Sequence, residues 1–113
     1  MLQKLVWCEA RGEDEKGQVL VANVVMNRVN NKAFPDTIDG VLFQKNQFEP
    51  VTYGIYEKAA PTNANIQAVS KALSGTDYSQ GALYFIAAAC AAGSWHDKNL
   101  TKLFQHGGHV FYK

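Results

Sequence analysis

The stretch EARGEDEKGQ, Glu9 to Gln18, sets Glu9, Glu13, Asp14 and Glu15 beside Arg11 and Lys16, between the apolar segments LQKLVWC and VLVANVVMNRV. Acid at such a junction is either a solvated turn or the place where one carboxylate is carried into a cleft to do chemistry. Glu13, Asp14 and Glu15 immediately precede the second apolar run, where they suit the positive end of a helix dipole. Glu9 has no such explanation. It falls at i+7 from Leu2, on the helix face that Leu5 and Val6 share. A carboxyl at the edge of apolar surface is desolvated and keeps its proton to higher pH, as an acid that protonates a leaving sugar oxygen must. The competing role for Glu9 is a salt bridge to Arg11 or Lys16.

Other residues could serve the same chemistry. Gln18 projects from the second apolar segment, where a buried amide needs a partner; it either bonds across the helix junction or contacts a ligand. Gln47 and Phe48, in the polar and aromatic loop FQKNQFEPVTYG, place an amide beside a flat ring, which suits a sugar; loop packing is the alternative. Tyr84 and Trp95 are further aromatic candidates for sugar binding, with a core role as the competing reading. A two-carboxylate hydrolase would need a second acid about 5 Å or roughly 6.5–9.5 Å from the first, and Glu13, Asp36, Asp39, Glu49 and Asp97 are the candidates.

Two rival chemistries are weaker. Cys90, His96, His106 and His109 lie close together in sequence, but no matched pair of ligands closes both ends of a zinc pattern, so no metal is expected. Cys8 as a nucleophile would sit beside Glu9, whose charge raises a thiol pKa. His96 reads as a surface residue beside Asp97, and His109 as a hydrogen-bonded residue opening a strand. A glycan-binding module without turnover remains the non-enzyme alternative.

The elements that must position these groups follow from periodicity. Gly12 permits the first helix to stop. The second helix, roughly Lys16 to Val29, is apolar almost all round and reads as central and buried. A loop leads to a short helix started near Asp36 or Thr37. TNANIQAVSKALSG predicts a helix capped at Asn63, with a face of Ile66, Val69 and Leu73 and a stop at Gly75. ALYF (82–85) and HVFYK (109–113) are β-prone, and Gly107 and Gly108 mark a turn. The expected fold is α+β, mostly helical, with a small antiparallel sheet near the C-terminus.

The chain has 113 residues, 47% apolar and 19% charged, which fits one globular domain over 1–113. Eleven Lys and Arg against ten Asp and Glu give a net charge of +1, no footprint for nucleic acid. No stretch reaches the 20 or so residues that a membrane span needs, and no secretory signal is visible at Met1. Cys8 and Cys90 make no disulfide framework and are expected as buried free thiols.

The blocks WCEARGEDEKGQVLVANVVMNRV, FPDTIDGVLFQKNQFEPV, GALYF and HGGHVFY, in that order, resemble the SleB/CwlJ-type cell-wall hydrolases, the spore cortex-lytic enzymes. The resemblance implies a lysozyme-like domain, similar to lytic transglycosylases, that cleaves the β-1,4 bond between N-acetylmuramic acid and N-acetylglucosamine in peptidoglycan. It maps the family's catalytic glutamate onto Glu9, and gives Glu13 a supporting role. It implies glycan strands as the partner, no cofactor and a spore or cell-wall setting. In the transglycosylase route one glutamic acid suffices; hydrolysis stays open. The chain departs from the family after Tyr84, reading YFIAAACAAGSW where an Asn-Pro element is common.

Overall fold

The computed structural model describes residues 2–44 and 56–113. Helix α1 (Leu2–Ala10) buries Leu2, Leu5, Val6 and Ala10 and leaves Glu9 half-buried in its last turn. The chain then turns through 11–14, with the Glu13 N–H donating to the Ala10 carbonyl at 2.9 Å. The turn needs no left-handed residue, so Gly12 ends α1 without the positive φ that a glycine stop usually supplies.

Helix α2 (Glu15–Val29) begins at Asp14, whose carboxylate accepts from the Gly17 N–H at 2.8 Å. It is buried from Gly17 through Val25, because α1, α3 (Ile38–Leu42), α4 (Asn63–Leu73) and the sheet all pack around it. Each fully buried Val or Leu in such a helix contributes about 1.5–3 kcal/mol, which makes α2 the fixed axis of the structure. Thr37 caps α3 through the Gly40 N–H at 3.0 Å.

α4 differs from the sequence expectation in two respects. Its cap is Thr62, one residue before Asn63, in a reciprocal capping box with Asn65. Its inner face is Asn65, Ala68, Val69 and Ala72, whereas Ile66 and Leu73 are 41% and 55% exposed. The apolar residue types suggested a stripe through Ile66 and Leu73. The helix instead turns its smallest residues and one bonded amide inward, where α1 and α2 come close. Gly75 follows with φ +111°, the expected stop.

The sheet has the order β1-β3-β2, all antiparallel, with β1 at Tyr84–Ala87, β2 at Lys102–His106 and β3 at His109–Tyr112. β2 is not evident in the sequence. Gly107 (φ +55°) and Gly108 close the β2–β3 hairpin, with positive φ only at the first of the two, the pattern of a type II′ turn. β3 is buried at every position because both faces of the sheet are covered. Phe111, Phe85 and Phe104 face Leu20 and Val24 of α2. Val110, Tyr112, Tyr84 and Ile86 lie with Ala91 and Leu100 on the outer face. That cover comes from IAAACAAGSW and its continuation, which form the short helices α5 (Ala88–Ala91) and α6 (Trp95–Asn99). Cys8 is half-buried and Cys90 exposed, both free, so the expectation of two buried thiols fails at Cys90. No helix among the described residues is long and apolar enough to cross a membrane.

Candidate active site

Glu9 follows three buried leucine and valine positions on one face of α1, so burial of that face carries its carboxyl to the end of the helix. Burial and the charge of Glu9 together push the neighbouring Cys8 thiol upward in pKa, the opposite of what a nucleophilic thiolate needs. The two cations of the stretch face aromatic rings: the Arg11 guanidinium lies 4.1 Å from the Trp7 ring centre, and the Lys16 ammonium 5.4 Å from that of Tyr78.

The acids beyond Glu9 divide by role. Glu15 pairs with Lys71 of α4 at the surface. Asp14 caps α2 and also meets His106 Nε2 at 2.8 Å; that hydrogen bond, and then the one from Gly17, hold its carboxyl below the usual range. Glu13 was expected to serve helix-end electrostatics or to support the reaction. Its Oε1 reaches across the structure and accepts the Gly108 N–H at 3.0 Å. The approach depends on a bare backbone, since a Cβ on Gly107 would sit 2.1 Å from Glu13 Oε1. The hairpin tip is thereby pinned to the acid-bearing turn. His109 lies just inside, 8% exposed and edge-on to Phe85 at 5.3 Å. Burial lowers its pKa, with Glu13 partly opposing. The sequence leads one to expect a hydrogen-bonded residue here, but its Nδ1 is buried with no hydrogen-bond partner among the described residues.

Gln18 is 5% exposed, and both ends of its amide are used within the protein. Nε2 donates to the Glu13 carbonyl at 3.1 Å, and Oε1 accepts from Asn65 Nδ2 at 2.9 Å. Of its two sequence roles, the geometry supplies the bond across the helix junction rather than a ligand contact. Gln47, Phe48 and Glu49 lie outside the described residues.

Tyr84 and Trp95 belong to a second group. Arg28, 3% exposed, donates from Nε to the Leu83 carbonyl at 2.6 Å and lies 5.0 Å from the ring centres of both Phe34 and Tyr84. Desolvation lowers its pKa to about 10. Trp95 is 59% exposed, with its ring 6.3 Å from Tyr84 and 5.7 Å from His96. His96 is therefore part of an aromatic cluster rather than a plain surface residue, and burial, then Arg28, lowers its pKa. Because Tyr84 pairs with Tyr112 and Ala87 with His109, this group sits at the other end of β1 from the pinned tip, roughly 10 Å along the strand. The structure thus brings Glu13, Asp14, His106 and His109 together beside the turn after Glu9, and sets Tyr84 and Trp95 apart from them. Among the described residues no group of three or more His, Cys, Asp or Glu could hold a metal ion.

Comparison with known proteins gives a consistent picture. The Cell Wall Hydrolase family model (Hydrolase_2) matches residues 12–112. The spore cortex-lytic enzyme of Oceanobacillus iheyensis is 38% identical over 114 residues, covering all of this chain and 40% of that protein. That of Halalkalibacterium halodurans is 41% identical over 96 residues, 84% of this chain and 28% of that one. The chain therefore spans well under half the length of these curated relatives. Among solved structures, the catalytic domain of the germination-specific lytic transglycosylase SleB from Bacillus anthracis superposes with a TM-score of 0.87 at 34% identity, over 99% of this chain and 90% of that one. With a family model matched over nearly its whole length and the helix-rich fold of the SleB domain, this chain belongs to the Cell Wall Hydrolase family.

Proposed function

We propose that this chain is a peptidoglycan-cleaving domain that acts as a lytic transglycosylase on the β-1,4 bond between N-acetylmuramic acid and N-acetylglucosamine, with Glu9 as the catalytic residue. The observation that carries the reading is the division of labour at the junction. Glu9 is held half-buried at the end of α1, while the next acid, Glu13, is committed to the Gly108 N–H. A carboxyl carried on the apolar face of α1, with the next acid engaged in holding the hairpin tip, suits a one-acid mechanism.

In that mechanism the protonated Glu9 carboxyl gives its proton to the glycosidic oxygen as the bond to C1 breaks. The resulting carboxylate then takes the proton of the sugar's own 6-hydroxyl as O6 bonds to C1, closing a 1,6-anhydro ring and restoring the acid. The nucleophile is part of the substrate, so positioning takes the place of a second side chain and a water. No cofactor enters. Glu13 supports the reaction by holding the hairpin tip against the turn that follows Glu9. Tyr84 and Trp95 bind the glycan strand farther from the bond that breaks, and Gln47 and Phe48, outside the described residues, are further glycan-binding residues. The family and its spore cortex-lytic members support a spore or cell-wall setting.

The test is mass spectrometry of the soluble products from spore cortex and from vegetative peptidoglycan, for wild type and Glu9→Gln. Anhydro-muropeptides from wild type, lost in Glu9→Gln with binding kept, are expected. Fragments with ordinary reducing ends would replace transglycosylation by two-carboxylate hydrolysis, and binding without fragments would leave a glycan-binding module.

A further inference from the structure

We infer that Asn65, on α4 and outside the acid-bearing turn, is a positioning residue for the reaction, acting through Gln18 on the backbone that follows Glu9. The inference rests on the reading of Glu9 as the acid. Asn65 is 1% exposed, and a polar side chain so buried is costly unless its bonds are made. Its Oδ1 does the work of a capping box, accepting from the Thr62 N–H at 2.8 Å and the Thr62 hydroxyl at 3.0 Å. That leaves its amino group, which a helix cap does not need. It points away from the cap, at Gln18 Oε1, 2.9 Å away.

The direction of this chain of bonds is dictated from the turn outward. The Glu13 carbonyl can only accept, so Gln18 must offer it Nε2 and must turn its oxygen toward α4. Only a donor can then stand at position 65. Glu13 is consequently gripped at three points: its N–H by the Ala10 carbonyl, its carbonyl by Gln18, and its carboxylate by the Gly108 N–H. Glu13 lies four residues after Glu9, on the short turn that leaves α1. A bond that fixes this turn also fixes the last turn of α1. Because Asn65 and Gln18 are both buried and the bond between them is shut off from water, a reversal at residue 65 is passed to Gln18 and so to the turn rather than absorbed by solvent.

The experiment uses three variants. Asn65→Asp keeps an acceptor for Thr62 but presents a second acceptor to Gln18 Oε1, so Gln18 must invert and set its oxygen against the Glu13 carbonyl. Gln18→Glu keeps an acceptor for Asn65 Nδ2 but has no Nε2 donor, so the bond to the Glu13 carbonyl is lost directly. Val69→Ala, a core truncation in α4, lowers stability without touching the chain. Assayed on soluble glycan fragments beside wild type and Glu9→Gln, Asn65→Asp and Gln18→Glu are expected to lose about tenfold or more in kcat, with KM within about twofold. Their double variant should be no worse than the poorer single. Val69→Ala should lower the melting temperature and keep kcat. Hydrogen exchange should quicken at the Gly108 amide in Asn65→Asp, while the α4 amides stay protected. Losses of kcat that follow melting temperature across all three variants would make Asn65 merely structural and overturn the inference, as would unchanged kcat and unchanged Gly108 exchange in Asn65→Asp. Should Glu9→Gln cleave as fast as wild type, the reading of Glu9 fails, and the exchange arm still decides whether Asn65 governs the turn.

Discussion

The Glu13 carboxylate and the Gly108 amide, 95 positions apart in the chain, meet at 3.0 Å and join the acid-bearing turn to the tip of the β2–β3 hairpin. Glu13→Gln keeps an oxygen to accept this bond and should leave stability within about 0.5 kcal/mol of wild type. Glu13→Ala should cost about 1–2 kcal/mol. Gly107→Ala should cost more, about 2–4 kcal/mol, because its Cβ would meet Glu13 Oε1 at 2.1 Å and its φ of +55° disfavours a side chain. Urea unfolding of the three variants ranks them.

His109 and His96 both have pKa values lowered chiefly by burial, so each is more readily protonated in the unfolded chain than in the folded one. Their contribution to stability is complete above the ordinary histidine pKa of about 6.5 and is lost as pH falls through the lowered folded values. Asp14, also lowered, adds a further loss at more acid pH, below the ordinary carboxylate range. Urea midpoints should therefore fall between pH 8 and pH 5, and His109→Phe should flatten that decline. An equal decline in the variant would refute the assignment to His109.

Arg28 ties the Leu83 carbonyl to α2 while its guanidinium lies against two rings. Arg28→Met should destabilise by about 2–4 kcal/mol, since it strands a carbonyl and removes the cation from Phe34 and Tyr84. Arg28→Lys should recover little, because an ammonium cannot bond from the Nε position and stack at once. Thermal denaturation of the two variants checks this.

Trp95 is the most exposed large apolar side chain among the described residues. Trp95→Ala should change stability by under about 0.5 kcal/mol. It should weaken pull-down on insoluble peptidoglycan several-fold and leave kcat on short soluble fragments unchanged. A fall in kcat with retained pull-down would place Trp95 elsewhere in the function.

α4 offers a direct contrast between the two possible faces. Ile66→Lys should be tolerated within about 0.5 kcal/mol, whereas Ala68→Asp, at a fully buried position, should cost about 3 kcal/mol or more. Circular dichroism melts of the pair suffice.

That contrast also marks where the sequence was legible. The bounds of α2, its burial, the short helix after Thr37, the Gly75 stop, the edge strand β1 and the central strand β3 follow from local periodicity and turn chemistry. The inner face of α4 does not, because it depends on a buried amide whose partner is 47 positions away. β2 was missed for a related reason. KLFQH carries a bulge between Lys102 and Phe104 that breaks the alternation by which a strand is read. The position of Glu9 on its helix face was legible, since it needs only the period of one helix. The pairing of Glu13 with Gly108 was not: a Gly-Gly pair signals a turn, and nothing local says what approaches it.

The order β1-β3-β2 has a consequence for how the molecule is made. The central strand is the last of the three to be synthesised, so during translation β1 and β2 wait without a neighbour until residues 109–112 emerge. α1 and α2 can pair early, and the sheet closes late. Glu9 is thus present as soon as α1 has been made, while the amide that secures the following turn arrives only with the last few of residues 1–113.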